Sequence, residues 1–225
     1  PDEARLTAHM VREEGGYALS GLRLVLDAAE QARLARLDVI GEVEIRDLTP
    51  ERLADYHLFF DEVGFRDHPE WQSCYCAETN LEPDPARTVA ATRAGMTELI
   101  QAGRVTALLA YAGGGPVAWC NYGETTRLAG VMAKLGLEAA DHQKVGSVAC
   151  FVIASQYRRH GIARRLLDEA CARLKARGCS QVEAYPAKDS SSSYGNYRGP
   201  LAMYLEAGFR SYREAGRSLI VRRLL

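Results

Sequence analysis

One stretch near the middle of the chain decides the fold, because in it an apolar run leads into a turn and then into a helix. It reads Val148-Ala149-Cys150-Phe151-Val152-Ile153-Ala154-Ser155-Gln156-Tyr157-Arg158-Arg159-His160-Gly161-Ile162-Ala163. Residues 145–154 are almost continuously apolar, which predicts a strand that is buried on both faces and central in its sheet. A helix is expected from Gly161 to about Arg177, since its apolar residues recur at helical spacing.

The turn between this strand and this helix favours binding of an anion. The first N–H groups of a helix lack backbone partners and point in one direction, and the helix dipole adds partial positive charge. Arg158 and Arg159 stand beside them, while Gly161 and Ala163 leave room for a diphosphate to approach the backbone. The alternative is that Gly161 only begins an ordinary helix; we favour phosphate binding.

The segments on both sides of this stretch predict an α/β (α+β) domain over residues 42–225. The expected strands are 42–47, 106–112, 117–122, 181–185, 209–213 and 218–223, and the expected helices are 49–63, 86–102, 128–142 and 200–207. Gly113-Gly114-Gly115-Pro116 predicts a hairpin between the second and third strands. We therefore expect a central mixed, mostly antiparallel sheet of six to seven strands, flanked by helices.

Two motifs resemble those of the GNAT family of N-acetyltransferases. Residues 158–163 fit its signature of Gln or Arg, two residues, Gly, one residue, and Gly or Ala, while Tyr204-Leu205-Glu206-Ala207-Gly208-Phe209 resembles its Tyr-x-x-x-Gly-Phe segment. The resemblance covers about residues 42–225 and implies the GNAT fold with acetyl-CoA as acyl donor. It implies that the donor's pyrophosphate is held by Arg158, Arg159, His160, Gly161, Ile162 and Ala163.

The resemblance also implies how the reacting groups are handled. Backbone groups of Phe151, Val152 and Ile153 would pair with the pantetheine arm, and Tyr204 would protonate the departing sulfur. A phenol suits that role because it is neutral at pH 7; the alternative is an aromatic side chain packed on an amphipathic helix. The Asn that many members carry before this tyrosine does not carry over, because Tyr197 stands seven residues before Tyr204 and Asn196 is one place off.

Two carboxylates are candidates for the base that takes a proton from the amine. Glu124 ends the second hairpin strand, and Glu183 shares one face of a later strand with Tyr185. The alternative for each is a solvated carboxylate at a strand end. Many relatives bind a neutral amine and need no strong base.

The cluster Cys74-Tyr75-Cys76 near Trp71 and His68 raises the question of a metal site. We expect no metal, because Cys-x-Cys lacks the usual Cys-x-x-Cys spacing and no second pair lies nearby. The segment resembles a Trp-x-x-Cys-Tyr-Cys stretch of some GNAT proteins, which implies that it lines the acceptor side of the cleft. Cys150 is expected in the core, and Ser190–Ser193 in a loop that closes over a ligand.

Residues 1–40 are predicted to form a small helical appendage. Residues 11–27 faintly resemble a helix–turn–helix stretch of MerR-type transcription regulators. The alternative, which we favour, is a helical hairpin that packs on the catalytic domain or pairs two subunits into a homodimer.

Composition narrows the class of protein further. The 225 residues carry 28 Lys and Arg against 29 Asp and Glu, so no basic excess favours nucleic acid or a membrane surface. No apolar run is long enough to span a bilayer and no secretory signal is visible, so we expect a cytoplasmic protein.

We predict an acetyl-CoA-dependent N-acetyltransferase that acts on an amine, most simply a primary amine of a small molecule, by direct transfer in a ternary complex. The alternatives are a non-catalytic acyl-CoA-binding sensor and a DNA-binding regulator.

Overall fold

The computed structural model describes residues 5–13, 16–25, 41–188 and 197–225, and of residues 5–25 it describes the backbone alone. Contacts divide the chain into two units, Pro1–Gly41 and Glu42–Leu225. No helix in the described part of the chain is long and apolar enough to cross a membrane. The predicted loop Ser190–Ser193 and Asn196 lie outside the described residues.

The described part of the first unit is a pair of antiparallel strands, β1 (Arg5–Glu13) and β2 (Gly16–Val25). The prediction of helices over residues 1–40 is therefore wrong for these two segments, and the MerR resemblance has no support. Polar and apolar residues also alternate in both segments, and Gly15-Gly16 between two such runs is as much a hairpin signal as a helix break. Residues 26–40 lie outside the described part.

The second unit alternates strands and helices as the sequence predicts. Its elements are β3 (Glu44–Asp47), α1 (Leu53–Leu58), α2 (Ala77–Asn80), α3 (Val89–Gln101), β4 (Ala107–Ala112), β5 (Gly115–Glu124), α4 (Ala129–Leu135), β6 (Val145–Ile153), α5 (Ile162–Ala176), β7 (Gln181–Ala184), α6 (Leu201–Glu206), β8 (Arg210–Ala215) and β9 (Ser218–Leu224). Single helical turns precede and follow α1, so the predicted helix 49–63 is continuous from Pro50 to Val63.

The strands form one seven-stranded sheet in the order β3-β4-β5-β6-β7-β9-β8. Every pair is antiparallel except β6 and β7, which are parallel. The buried strand β6 lies in the middle, as predicted, and the mixed, mostly antiparallel sheet flanked by helices is confirmed.

The sheet is incomplete on one side of β6. Strand β7 pairs with β6 only from Val145 to Val148, and among the described residues no other strand pairs with the rest of β6 on that side. On the other side, β5 continues beside β6 up to Ile153, with Ala149 as an extra residue in a β-bulge. The half of β6 from Ala149 to Ile153 therefore keeps one free edge.

Candidate active site

The free edge of β6 presents backbone groups of two residues. The amide of Ala154 donates to the carbonyl of Val117 at 3.0 Å, so the backbone groups of Ala154 point toward β5. Because successive residues of an antiparallel strand point to opposite sides, those of Phe151 and Ile153 point away from β5, where β7 has ended. Their side chains line one pocket together with Ala163 of α5.

The turn before α5 leaves the first helical N–H groups free of side-chain caps. Gly161 is the N-cap, with a φ of 78° and no side-chain hydrogen bond. Arg159 also has a positive φ, of 65°, which is uncommon for a residue with a side chain. A Cβ on Gly161 would meet no atom within 4 Å, so open space lies above this backbone. These features fit a diphosphate, which accepts hydrogen bonds from unpaired N–H groups at a helix N-terminus.

Arg158 is held at the edge of this turn by residues far away in the sequence. Its Nε donates to the carbonyl of Ile153 at 2.8 Å, and its two terminal nitrogens donate to Asp67 at 2.5 and 3.1 Å. Burial is the largest single influence on Asp67 and opposes its ionisation, but the hydrogen bonds from Arg158, the charge of Arg158 and smaller contributions together lower the pKa of that carboxyl below its usual value. The guanidinium is thus preorganised beside the turn, with an internal anion in place of a ligand.

The predicted acid, Tyr204, lies on α6 and is completely buried. Its hydroxyl donates to the carbonyl of Arg198 at 2.6 Å, and its ring packs edge-on against Phe209. Burial, followed by the proximity of several cysteine thiols, raises the pKa of Tyr204 well above its usual value. The phenol is therefore neutral at pH 7 and able to give a proton rather than to take one.

The face of β6 opposite to the side chains of Phe151 and Ile153 borders an apolar cavity. It is lined by aromatic, aliphatic and thiol side chains from separate parts of the chain, among them Trp71, Cys74, Val131, Leu135, Val152 and Tyr197. Tyr197 also lines the pocket beside the turn, so one ring borders both spaces. The segment around Cys74 thus lines the cavity that lies across β6 from the diphosphate-fitting turn.

A wider groove continues outward from the cavity and is acidic. It shares Trp71, Cys74 and Lys134 with the cavity. Four carboxylates border it or the mouth of the cavity: Glu70, Glu78, Glu82 and Asp84. Lys134 is paired with Glu78 at 2.7 Å, and Arg87 also lines the groove, so its four carboxylates exceed its two cations by two.

Cys76, which lines the cavity, and Tyr75 before it both have left-handed backbones. Tyr75 has a φ of 43° and Cys76 a φ of 56°, which costs roughly 1–2 kcal/mol for each residue with a Cβ. Tyr56 holds this turn by donating to the carbonyl of Tyr75 at 2.8 Å, and the hydroxyl of Tyr75 donates to Asp61 at 2.6 Å. Strain held in place by tertiary contacts is typical of binding sites.

Two of the three thiols that line the cavity, those of Cys74 and Cys150, are poor nucleophiles at neutral pH. Burial, with a smaller contribution from Cys76, raises the pKa of Cys74 to about 12. The hydrogen bond with Cys76 and burial raise the pKa of Cys150 well above its usual value. For Cys76, burial opposes ionisation. Hydrogen bonds with Cys150, Trp119 and Thr79 act against burial, and the pKa of this thiol is lowered. In the described part of the chain, no group of three or more side chains could hold a metal ion.

The structure separates the two candidate bases. Glu183 is completely buried, with Oε1 bound by Arg222 Nε at 2.9 Å, so it is not a solvated carboxylate. Glu124 is about one-third exposed and paired with Arg127 at 3.0 Å, which agrees with the alternative interpretation of a solvated carboxylate at a strand end. It pairs in register with Gly146, five residues before Phe151, which is about 17 Å along the strand. By the same measure Glu183, in register with Ser147, is about 13 Å along the strand from Phe151, so neither carboxylate lies at the free edge of β6. Glu183 is linked to the cavity through Tyr185, whose hydroxyl lies 3.3 Å from its Oε2.

Sequence reasoning missed Asp67 and the cavity side chains of α4. Asp67 lies 91 residues from Arg158, and no local pattern marks such a pair. In the sequence, Tyr185 stands out only as a neighbour of Glu183, and Tyr197 only as the residue at the position of an expected Asn. Their shared feature, an aromatic ring beside a predicted turn or strand end, is too common to identify a site.

Comparison with known proteins agrees with this geometry. Residues 68–199, more than half of the chain, match the Acetyltransferase (GNAT) family. The PaiA N-acetyltransferase from Thermoplasma acidophilum, solved in complex with coenzyme A, is 14% identical over 82% of this chain and 100% of its own, with a TM-score of 0.53. The GNAT domain of S. lividans PAT is 16% identical over 82% of this chain and 92% of its own, also with a TM-score of 0.53.

An acetyltransferase from Thermus thermophilus is 18% identical over 83% of this chain and 99% of its own, with a TM-score of 0.50. These three likenesses show the fold. No curated protein matches the chain.

The fold and the match over residues 68–199 define the class: the chain belongs to the GNAT acetyltransferase family. It is an acyltransferase, and acetyl-CoA is the acyl donor of this family. The predictions of the family, of an acetyl-CoA-dependent enzyme and of the fold are thereby confirmed.

Proposed function

We propose that the chain transfers the acetyl group of acetyl-CoA directly to a primary amine of a small molecule, with both substrates bound together. The observation that carries this proposal is the position of the free edge of β6. It lies between a turn that fits a diphosphate and an apolar cavity, and Tyr197 borders both spaces.

The donor is assigned to the turn side of β6. Its diphosphate would take the free N–H groups from Gly161 to Ala163, with Arg158, Arg159 and His160 around them. The pantetheine arm would pair with the backbone of Phe151, because that residue presents unpaired groups where β7 has ended. The carbonyl of Ile153 is bound by Arg158, so Arg158 must move before Ile153 can pair with the arm.

Direct transfer is favoured over a covalent acyl-enzyme by the state of the thiols. A thiolate is the nucleophile in acyl transfer to cysteine, and the raised pKa values of Cys74 and Cys150 leave very little thiolate at pH 7. The pKa of Cys76 is lowered, but its side chain is only 1% exposed, which keeps its sulfur from an acyl donor. Tyr204 is proposed to protonate the leaving sulfur of coenzyme A. No role is assigned to Glu124, because of its distance from Phe151.

The cavity supports a small acceptor with an apolar body. Its walls of Trp71, Val131 and Leu135 suit an aromatic or branched aliphatic group, which gains roughly 25 cal/mol for each Å² removed from water. The acidic groove outside it, with Glu70 and Glu82, would attract the ammonium form of an amine.

Calorimetric titration with acetyl-CoA tests the donor assignment. Gly161→Glu places a carboxylate at the proposed diphosphate site, and we expect it to weaken binding about 100-fold. Gly178→Glu is the matched control, because Gly178 follows the other end of α5, has a φ of 87° and also has open space around its Cβ position. Equal losses of affinity for acetyl-CoA in the two variants would show that the diphosphate does not bind at the turn.

Turnover with a panel of amines tests the acceptor. Aromatic and branched primary amines should give higher kcat/KM than a polyamine or a lysine-containing peptide of equal concentration. A preference for the peptide would contradict a small-molecule acceptor, and turnover of no amine would contradict the transferase assignment for this cavity.

A further inference from the structure

A chain of buried polar groups lies beside the acceptor cavity and is not used by the proposed donor site. Tyr185, which lines the cavity, has its hydroxyl 2.5 Å from Ser147 Oγ and 3.3 Å from Glu183 Oε2. His142 Nε2 lies 3.5 Å from the same carboxylate oxygen. Ser147 and Glu183 are 0% exposed and His142 is 6% exposed, so the hydrogen bonds within the group must satisfy its polar atoms.

The direction of two hydrogen bonds follows from groups that can only accept. Thr125 Oγ1 lies 3.0 Å from the carbonyl of Val145, so the single Thr125 proton is used there. The carboxylate of Glu183 likewise can only accept, so the hydroxyl of Tyr185 donates to its Oε2. Ser147 Oγ lies 2.8 Å from Thr125 Oγ1 and 2.5 Å from the hydroxyl of Tyr185, and its single proton serves one of these two contacts.

The same carboxylate oxygen also faces a second group. Oε1 of Glu183 accepts from Arg222, whereas Oε2 accepts from Tyr185 at 3.3 Å and lies 3.5 Å from Nε2 of His142. His142 Nδ1 lies 2.8 Å from the carbonyl of Glu138 and must donate to it. In the neutral ring, Nε2 then carries no proton, so no hydrogen separates it from Glu183 Oε2.

We infer that Glu183 and His142 form a buried binding site for one proton, and that Tyr185 delivers to it a proton lost by the acceptor ammonium. The inference rests on the proposed acetylation of an amine and adds a route for the proton that this reaction releases.

The protons balance as follows. A protonated amine and the thioester give an amide, a thiol and one free proton. One of the two protons that leave the nitrogen replaces the proton that Tyr204 gives to the sulfur. For the other, the N–H bond breaks toward the oxygen of Tyr185, while the hydroxyl of Tyr185 passes its own proton along its hydrogen bond to Glu183 Oε2. The Glu183–His142 pair holds this proton until water removes it at the slightly exposed ring of His142.

The surroundings suit a relay more than a free phenolate. Among the described residues, the charged or titratable groups that face Glu183 are Arg222 from β9, His142 from the turn Ala139–His142, and Tyr185. The guanidinium of Arg222 is in turn stacked 3.7 Å from the ring centroid of Tyr212. Burial, and then the charge of Glu183, raise the pKa of Tyr185 above its usual range, so it stays protonated and can only pass a proton on.

Tyr185→Phe tests the relay because it keeps the ring and removes the hydroxyl. We expect kcat/KM for the amine to fall about 100-fold at pH 7. The deficit should shrink as the pH rises toward the pKa of the amine, since more of the acceptor then arrives without its extra proton. Acetyl-CoA should bind as tightly as before.

Tyr122→Phe is the matched control. Tyr122 is also completely buried and its hydroxyl also lies 3.3 Å from a carboxylate oxygen, that of Asp47. We expect an unchanged pH profile for this variant. A deficit in Tyr185→Phe that is the same at every pH, or no deficit at all, would overturn the relay.

A readout that does not depend on turnover tests the proton site itself. In protein with ¹⁵N-labelled histidine, NMR should show neutral His142 with its proton on Nδ1, and His142→Gln identifies the signals. A proton on Nε2 would overturn the inference. If the unmodified enzyme acetylates no amine, the proposed function fails, while the position of this proton still decides the inference.

Discussion

The donor side and the acceptor side of β6 are built from different groups, backbone atoms on the donor side and side chains on the acceptor side. The donor side uses backbone groups of Phe151 and of the turn at Gly161, which lie within thirteen residues of sequence. The acceptor side uses side chains from separate segments, such as Trp71, Val131 and Tyr197. A site made of backbone suits a substrate that every member of a family shares, whereas a site made of side chains can select one amine. Changes on one side should therefore leave binding on the other side intact.

The largest effect is expected at Tyr204, the residue proposed to protonate the leaving sulfur. Tyr204→Phe should lower kcat about 100-fold and leave the Kd of acetyl-CoA unchanged, because the hydroxyl is needed for the leaving sulfur and not for binding. Loss of its bond to the carbonyl of Arg198 should cost about 1 kcal/mol of unfolding free energy. Rapid-quench kinetics and thermal unfolding measure these two quantities.

Tyr111→Phe is the control for removing the hydrogen bond of a buried tyrosine hydroxyl. Tyr111 is buried on β4 and donates to Asp55 at 2.7 Å, so the substitution removes a comparable hydrogen bond away from the cleft. A similar fall in kcat in both variants would show that packing, and not proton donation, explains the effect.

The next largest effect is expected at Gly130, on the acceptor side alone. A Cβ there would lie 2.1 Å from the carbonyl oxygen of Glu78, so Gly130→Ala must push α4 away from α2. The cavity lies between these helices and β6, and the KM for the amine should rise about 10-fold while that for acetyl-CoA stays constant. Gly115→Ala, which meets no atom within 4 Å, should change neither. An equal rise in both KM values would break the separation of the two sides.

This difference in construction also explains what the sequence could predict. The strand, the turn and the helix of the donor side follow from hydrophobic periodicity and from Gly161, all within one short stretch. The relation of Arg158 to Asp67 does not, because 91 residues separate them. Glu183 similarly looked like a solvated carboxylate, and only the fold brings Arg222 and His142 to it.

The error at the N-terminus has another cause. Residues 5–25 contain apolar residues that satisfy both helical spacing and alternation, so periodicity alone does not distinguish a helix from a strand there. In the second unit the competing signals agree: Pro50 begins a helical segment, Thr88 accepts a hydrogen bond from Ala91 as the N-cap of α3, and the glycines at 113–115 fit a hairpin. Agreement between local signals, and not their number, made those predictions correct.

A smaller effect is expected on the donor side when Arg158 loses its internal partner. Asp67→Asn should tighten acetyl-CoA binding about 3-fold at low salt, because the diphosphate no longer competes with a carboxylate for the guanidinium. The gain should fade as salt is added. Glu169→Gln, which removes the exposed partner of Arg173 on the outside of α5, is the control. Weaker binding in Asp67→Asn would mean that Asp67 positions Arg158 for the donor and does not compete with it.

The smallest effect concerns the response to alkali of Tyr56 and Tyr75, which hold the turn beside the cavity residue Cys76. Burial is the largest cause that raises the pKa of Tyr56 well above its usual value, and burial likewise raises that of Tyr75 to about 12. Both phenols are protonated in either state below pH 10, so their contribution is intact there. Above pH 10 the unfolded chain loses these protons first, and stability should fall by up to about 1.4 kcal/mol per pH unit for each tyrosine. Urea unfolding at pH 8 and pH 10.5 measures the fall, and Tyr56→Phe should make it smaller.

The bond between Asp67 and Arg158 on the donor side should respond only to acid, because the lowered pKa of Asp67 means that its contribution is lost as the pH falls through that value. If Tyr56→Phe leaves the alkaline fall in unfolding free energy unchanged, groups other than Tyr56 cause that fall.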